Sequence, residues 1–526
     1  MCGIIVSSGG KKELSKLKEG HLITKKRGPD SSSIIIENDN VFMFNRLSIM
    51  GLTENGMQPF KYEGNTLVAN AEIYNYKEIK KELSDRYNFI SESDCEVLLP
   101  LYKELGMSMF KYLDAEFAIV LYDKNKKKLI AARDPLGIRP LFYGFIKKSN
   151  DIVFSSEVKG IIESVEKVFP FPPGEMYDGT KFIKFSSICE VEKYNNDSFE
   201  EILSNINIKL TNAIHKRMES DAEIGYLLSG GLDSSIVCSV AQKASKEKIK
   251  TFSVGMKDDA IDLKYAKQVS AYLGTDHTEV IITKEDVIGA LDEVVYSLES
   301  FDITTVRASI GMHLISKYIS ENTSIKVLLT GEVSDELFGY KYTDFAPGPE
   351  EFQKEAVKRV SELYMYDVLR ADRCLAINSL EARVPFGDID FASYVMRINP
   401  ISKMNKYRVG KFLLRKAFEK DYLPKDILYR EKAAFSDAVG HSLVDYLKEY
   451  AEEKYTKKEY ETIVKKYKNP VPFTKESLMY REIFEKYYQN HSHLVKDYWM
   501  PNKEWDNCDV DDPSARVLSN YGESGI

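Results

Sequence analysis

The chain has 526 residues, 43% hydrophobic and 29% charged, too many for one ordinary core, so two or more domains are expected. Its 73 basic and 81 acidic residues leave a net charge of −8, which excludes a broadly basic face and predicts no nucleic-acid partner. The six cysteines form no Cys-x-x-Cys pair, and neither a membrane-spanning run nor a signal-peptide core is visible, so a cytoplasmic protein without membrane contact or structural disulfides is expected.

The chain starts Met1-Cys2-Gly3-Ile4-Ile5-Val6. Removal of Met1 would leave Cys2 first, its thiolate a nucleophile and its own α-amine, with a reference pKa of about 7.7–8.0, the base. Strand-like runs follow at 33–36, 41–49, 66–73, 116–122, 128–132, 141–146 and 152–155. Helical patterns fall at 76–84 and 94–105. Many strands with few long helices predict an α+β layered domain. The lysine run at 124–128 reads as solvated surface, as does the pair His491 and His493.

This half contains RGPD (Arg27 to Asp30), NRLSI (Asn45 to Ile49), NAEIYN (Asn70 to Asn75), SDCEV (Ser93 to Val97) and ARDPLGIRPLF (Ala132 to Phe142). In order and spacing these motifs resemble the class II glutamine amidotransferases. The resemblance implies a layered αββα N-terminal-nucleophile glutaminase domain over residues 2–185. It also implies roles for named residues. Cys2 attacks the glutamine amide, while the Asn70 side chain and the Ala71 N–H donate to the oxyanion. Arg46 clamps the α-carboxylate of glutamine, and Glu72 and Asp94 hold its ammonium. The backbone of Leu47, Ser48, Ile49 and Met50 completes the pocket wall. Three positions depart from the family pattern: Ala71 for glycine, Lys26 for histidine and Gly51 for aspartate. Altered glutaminase efficiency, not its loss, is the expectation.

A polar link at 190–197 leads to a helical pattern at 199–218. Strands at 223–228, 250–254, 277–282 and 325–329 then alternate with helices at 234–244, 263–273, 284–297 and 306–319. Such alternation predicts an α/β domain with a doubly wound parallel sheet, whose ligands sit beyond the carboxyl ends of the strands. The first strand runs into Ser229-Gly230-Gly231-Leu232-Asp233-Ser234-Ser235, a glycine turn opening a helix. Glycine lets the backbone approach a ligand closely, and the unpaired N–H groups of a first helical turn favour phosphate. The turn carries no lysine, so it is not a Walker A cradle. The second strand ends at Val254-Gly255 and the last at Thr330-Gly331-Glu332-Val333-Ser334-Asp335-Glu336, so three distant segments would meet at one crevice.

The SGGLDSS turn resembles the PP-loop of ATP pyrophosphatases. DITTVRAS (Asp302 to Ser309), EARVPF (Glu381 to Phe386), REKAAFSD (Arg430 to Asp437) and DDPSARV (Asp511 to Val517) extend the likeness. Over nearly its whole length the chain resembles the glutamine-hydrolysing asparagine synthetases. That implies a synthetase domain over residues 198–526 with a helical C-terminal part and a polar tail. Leu228, Val254, Thr330 and Gly331 would line the adenine and ribose site. Ser229, Gly230, Gly231, Asp233, Ser234 and Ser235 would hold pyrophosphate, with Asp233 and Asp335 on Mg²⁺. Glu332 would serve formation of β-aspartyl-AMP and its attack by ammonia, and Lys432 would neutralise phosphate charge.

The chemistry asks for such groups independently, because a carboxylate is a poor electrophile until ATP converts it to a mixed anhydride. The implied partners are L-glutamine, L-aspartate and ATP, with a homodimer as the assembly. A related amidotransferase adenylating another carboxylate is the alternative. Val333 stands where the family has glycine; a left-handed backbone there would strain a β-branched residue by about 1–3 kcal/mol. Thr330 for serine, Ala433 and Ala434 for larger polar residues, and Gly387 for leucine are further departures.

Overall fold

The computed structural model describes residues 1–147, 149–257, 259–405, 409–431 and 439–521. Its first half is built on strands β1 (Gly3–Ser7), β2 (Ser31–Glu37), β3 (Asn40–Arg46), β4 (Phe60–Tyr62), β5 (Asn65–Ile73) and β6 (Ala115–Asp123). It continues with β7 (Lys128–Arg133), β8 (Phe142–Ile146), β9 (Ile152–Ser155), β10 (Val165–Pro170), β11 (Glu175–Tyr177) and β12 (Phe182–Lys184). They form two six-stranded sheets, ordered β10-β8-β9-β1-β3-β2 and β12-β11-β7-β6-β5-β4.

The period-2 alternation of each strand decides the layering. Ile4 and Val6 of β1 join Phe42 and Phe44 of β3, Val68 of β5, and Ala118 and Val120 of β6 in a core between the two sheets. Ile5, Val41 and Met43 point the other way, into a core that includes Leu17 of the helix Leu14–Ile23. On the far side, Leu67, Ala69, Ile119 and Leu121 share a core with Ile79 of the helix Tyr76–Leu83 and with Leu98 and Leu101 of the helix Leu98–Leu105. The result is the expected αββα stack. The strand expected over 41–49 ends early, at Arg46, because residues 47–50 turn away to line a pocket.

The second half carries β13 (Ile224–Leu227), β14 (Lys250–Met256), β15 (Asp276–Ile282), β16 (Val327–Leu329) and β17 (Glu381–Arg383). All pairings are parallel, in the order β15-β14-β13-β16-β17. Val327 and Leu329 share one core with the helices Leu232–Ala244 and Ile261–Leu273, whereas Leu328 shares another with Lys284–Leu298, Ile303–Asn322 and Asp367–Ala376. Helices therefore cover both faces. Strand order runs outward one way through β14 and β15, then restarts on the other side of β13 with β16. That reversal leaves a crevice at the carboxyl ends of β13 and β16.

Residues 124–128 are exposed, as expected. The two histidines are not: His491 is buried, and His493 reaches the Val168 carbonyl at 2.7 Å, because the chain there docks on β10. No helix among the described residues is long and apolar enough to cross a membrane.

Candidate active sites

The first site forms where β1, β3 and β5 leave their sheets. The Cys2 N–H donates to Asn70 Oδ1 at 3.0 Å, and the thiol lies 3.8 Å from the Leu47 carbonyl. Burial pushes the Cys2 thiol up from its ordinary value. Asn70 is buried, and among the described residues its Nδ2 has no hydrogen-bond partner. An orphaned buried donor costs about 1–3 kcal/mol, so its presence beside a thiol marks a place built for an acceptor.

Strand parity places a second donor nearby. Ala69 exchanges both backbone bonds with the Gln58 side chain, and the Ile73 N–H donates to Asp94 Oδ2 at 2.7 Å, so odd-numbered residues of β5 turn their backbone away from β6. Ala71 has the same parity, and its N–H points the same way. Its φ is not positive, so the methyl group that replaces the family's glycine is tolerated.

The pocket wall is set by ordered turns. Asp30 of RGPD accepts from the Ser48 N–H at 2.7 Å and pairs with Lys326 at 2.6 Å, fixing the loop that carries Leu47, Ser48, Ile49 and Met50. Arg46 is buried and donates to the carbonyls of Thr53 (2.7 Å), Met50 (3.5 Å) and Gly51. Gly51, where the family has aspartate, has φ +59°, and a Cβ there would lie 2.5 Å from Ser93 N. Glycine is required by that backbone. Glu72 receives Arg383 Nη2 at 2.7 Å, and burial raises its carboxyl well above the usual range. Asp94 is pushed up to about 6, chiefly by burial. Met1 covers this site, buried, with its amine 3.8 Å from Glu381 of β17.

The second site is a cavity of about 220 Å³ at the crevice beside β13 and β16. Leu228, Ser229, Gly231, Asp233, Ser234, Val254, Thr330, Gly331, Glu332 and Asp335 all line it, so the three predicted strand ends do meet. A Cβ on Gly331 would lie 3.0 Å from Ser234 N, a measure of how closely the two loops approach. Gly231 caps the helix Leu232–Ala244 without a side-chain bond, leaving its first-turn N–H groups for an anion.

Two predicted residues do not line the cavity. Gly230, at φ +71°, lies against the helix Ile261–Leu273, where a Cβ would come within 2.5 Å of Ala266 N. Ser235 is fully buried one turn into its helix. Lys432 lies outside the described residues, with Ala433 and Ala434. Val333 has φ +80° and ψ −19° and is buried; the strain anticipated for a β-branched residue there is present.

Basic groups that escaped the sequence reading also line the cavity, among them Arg370, Lys411 and Arg415. Arg370 pairs with Glu332 and, at 2.7 Å, with Asp367. Lys411 Nζ lies 2.8 Å from both carboxylate oxygens of Asp233, 2.6 Å from Asp335 Oδ1 and 2.9 Å from Ser334 Oγ. Arg415 donates to the Gly410 carbonyl at 2.6 Å and holds the turn that presents Lys411. Local signals existed in a lysine opening the apolar run FLLRKAF and in a charged helix after Tyr366, but neither names its partners. Asp233 and Asp335 thus already converge on one cation. Two carboxylates completed by substrate phosphates are the usual protein share of a Mg²⁺ site, so this donor set fits that ion.

The two sites are joined by β17. Arg383 reaches Glu72 with its side chain, and its carbonyl accepts from the Thr330 N–H at 3.1 Å.

A glutamine amidotransferase domain model matches residues 1–171, and an asparagine synthase model matches 205–348 and 342–511. The chain is 39% identical to the asparagine synthetase (glutamine-hydrolyzing) of Cricetulus griseus, over 99% of both chains. It is likewise 39% identical over 99% of both chains to the Homo sapiens protein of that name. A protein of Acanthamoeba polyphaga mimivirus, named "Probable asparagine synthetase (glutamine-hydrolyzing)", is 39% identical over 98% of this chain and 100% of its own.

Proposed function

The chain belongs to the glutamine-hydrolysing asparagine synthetases, and from that premise we propose how its residues divide the work. The enzyme makes L-asparagine from L-aspartate, L-glutamine and ATP, releasing glutamate, AMP and pyrophosphate. We assign residues 2–185 to the glutaminase domain and 198–526 to the synthetase domain.

In the first site, loss of Met1 frees the α-amine of Cys2 to take the thiol proton. The thiolate attacks the side-chain carbonyl of glutamine, and Asn70 Nδ2 with the Ala71 N–H donates to the oxyanion. Ammonia leaves, and water releases glutamate from the thioester. Glu72 and Asp94 hold the substrate ammonium, and Arg46 takes its carboxylate by letting go of loop carbonyls. Both Glu72 and Asp94 are lifted by burial, a cost that an incoming ammonium offsets.

In the second site, the turn 229–235 cradles the departing pyrophosphate while Leu228, Val254, Thr330 and Gly331 contact the nucleoside. The aspartate β-carboxylate attacks the α-phosphorus to give β-aspartyl-AMP. Ammonia from the first site then displaces AMP, and Glu332, steadied by Arg370, takes the proton lost by the incoming amine. Mg²⁺ held by Asp233 and Asp335 would neutralise charge on the leaving pyrophosphate, and Lys432 would add a positive charge there. We place the protein in the cytoplasm as a homodimer. Six unbridged cysteines support the compartment.

The observation that carries this proposal is the meeting of three strand-end segments at one switch-point cavity, in a chain whose other half presents Cys2 to an orphaned Asn70 donor. Purified protein with Mg-ATP, aspartate and glutamine should form asparagine, AMP and pyrophosphate in equal amounts. ADP as the product, or no asparagine from either glutamine or ammonia, would overturn it.

A further inference from the structure

Lys411 is buried, yet it sits at the mouth of a short helix with φ +58°, a left-handed backbone uncommon for lysine. Arg415 donates to the preceding carbonyl, that of Gly410, at 2.6 Å and braces this turn. Its ammonium is directed at Asp233 from the first glycine-turn helix and Asp335 from the short helix Ser334–Phe338 after β16, 2.8 and 2.6 Å away. Ser334 Oγ ties the set together, donating to Asp233 Oδ1 at 2.7 Å. Lys411 thus bridges the two carboxylates that the proposed function gives to a divalent metal.

We propose that Lys411 is a resident counter-ion that keeps divalent cations out of the empty site, so that the metal enters only together with the nucleotide. The inference rests on the metal assignment to Asp233 and Asp335. Electrostatics carries it. A bare divalent ion arriving alone must evict the buried ammonium from buried Asp233 and partly exposed Asp335. That leaves a buried lysine without an anion, a strongly unfavourable change that opposes binding of the lone ion. The ion also sheds part of a tightly held water shell. A polyphosphate changes the balance, because its oxygens replace the carboxylates as partners for the ammonium while completing the coordination of the metal. A lysine suits the task better than an arginine fork: it is a compact point charge on a flexible stem, able to leave one anion for another.

Mn²⁺ titration followed by its electron-spin signal tests this on the full-length protein, with α,β-methylene-ATP as a nucleotide that cannot be adenylated onto a carboxylate. Wild type should leave Mn²⁺ unbound without nucleotide and take it up stoichiometrically with the analogue. Lys411→Gln should bind Mn²⁺ without nucleotide at least tenfold more tightly than wild type, and the added Asp335→Asn change should abolish that gain. Lys411→Arg, which keeps the charge, should still leave Mn²⁺ unbound without nucleotide but take it up less readily with the analogue. Nucleotide-independent Mn²⁺ binding by wild type, as tight as with the analogue, overturns the proposal even if Lys411→Gln fails to fold. A folded Lys411→Gln that binds the analogue but gains no metal also overturns it while leaving the metal assignment standing. Should wild type take no Mn²⁺ even with the analogue, the metal assignment itself falls and the proposal with it.

Discussion

Val333 illustrates what a single residue can reveal about a loop. Its φ of +80° is the conformation for which glycine is suited, yet the side chain is buried and contributes to the core. Strain of about 1–3 kcal/mol is set against about 1.5–3 kcal/mol from burying the isopropyl group. These nearly cancel, which is why the substitution is tolerated. Val333→Ala forfeits the burial and keeps much of the strain; Val333→Gly forfeits the burial but relieves the strain. Chemical denaturation should therefore find Val333→Gly the more stable of the two, although it deletes more atoms. The reverse order would show that the backbone is not strained. At Asp94, burial lifts the carboxyl from 3.8 to about 6, so the folded chain holds this proton more tightly than the unfolded one. The stability this group contributes is present at low pH and is lost as pH rises through about 6. Its ionised form is the one that attracts an ammonium. The KM for glutamine should thus rise as pH falls below about 6, and Asp94→Asn should remove that step. These roles were legible because Cys2, Asn70 and Asp94 lie inside short motifs. Lys411 was not, since Asp233 lies 178 residues away from it and Ser334 77; only the fold brings them together.

At the scale of the element, the glycine turn after β13 does two separate jobs. Gly231 and Ser234 face the cavity, whereas Gly230 lets the helix Ile261–Leu273 come close. Position alone cannot separate ligand contact from helix packing, because a missing Cβ serves either use. Gly230→Ala should therefore disturb packing first, lowering the unfolding midpoint by the equivalent of more than 1 kcal/mol together with a loss of nucleotide affinity. A variant with unchanged stability and weakened nucleotide binding would instead make Gly230 a direct ligand contact. Long periodic elements were readable: the helix Phe199–Arg217 and the strands β5, β6 and β14 fall within a few residues of their patterns. The short strands β4, β11, β12 and β17 were not, as three residues carry no period and gain their identity from a neighbour. The helix Leu14–Ile23 was missed for a different reason. Its polar and apolar residues are mixed and a glycine interrupts it, so tertiary contacts with β1 and β3 decide its form.

Across the whole molecule, the halves are locked by buried charge. Arg27 pairs with Asp372 at 2.7 Å and Glu157 at 2.9 Å, and Arg373 continues the network to Glu299. Nearer the sites, Arg139 joins Glu116 to Glu381, and Arg383 joins Glu381 to Glu72. Such pairs add little net stability over apolar packing, but losing one partner costs about 3–5 kcal/mol, so they fix the orientation of the halves. The carboxyl of Glu157 is held below its usual range among Lys159, Arg373 and Arg27, so its contribution is present above the ordinary glutamate value and lost as pH falls. That orientation puts the chain's amino end 3.8 Å from Glu381 of β17, which pairs with β16 beside the nucleotide cavity. The division into an ammonia-producing half and an ammonia-consuming half is tested most directly by Cys2→Ala. Asparagine formation from glutamine should vanish in this variant, while formation from ammonia should continue at close to the wild-type rate. Equal loss of both would mean that Cys2 serves the synthetase chemistry itself, and the separation into two sites would be wrong.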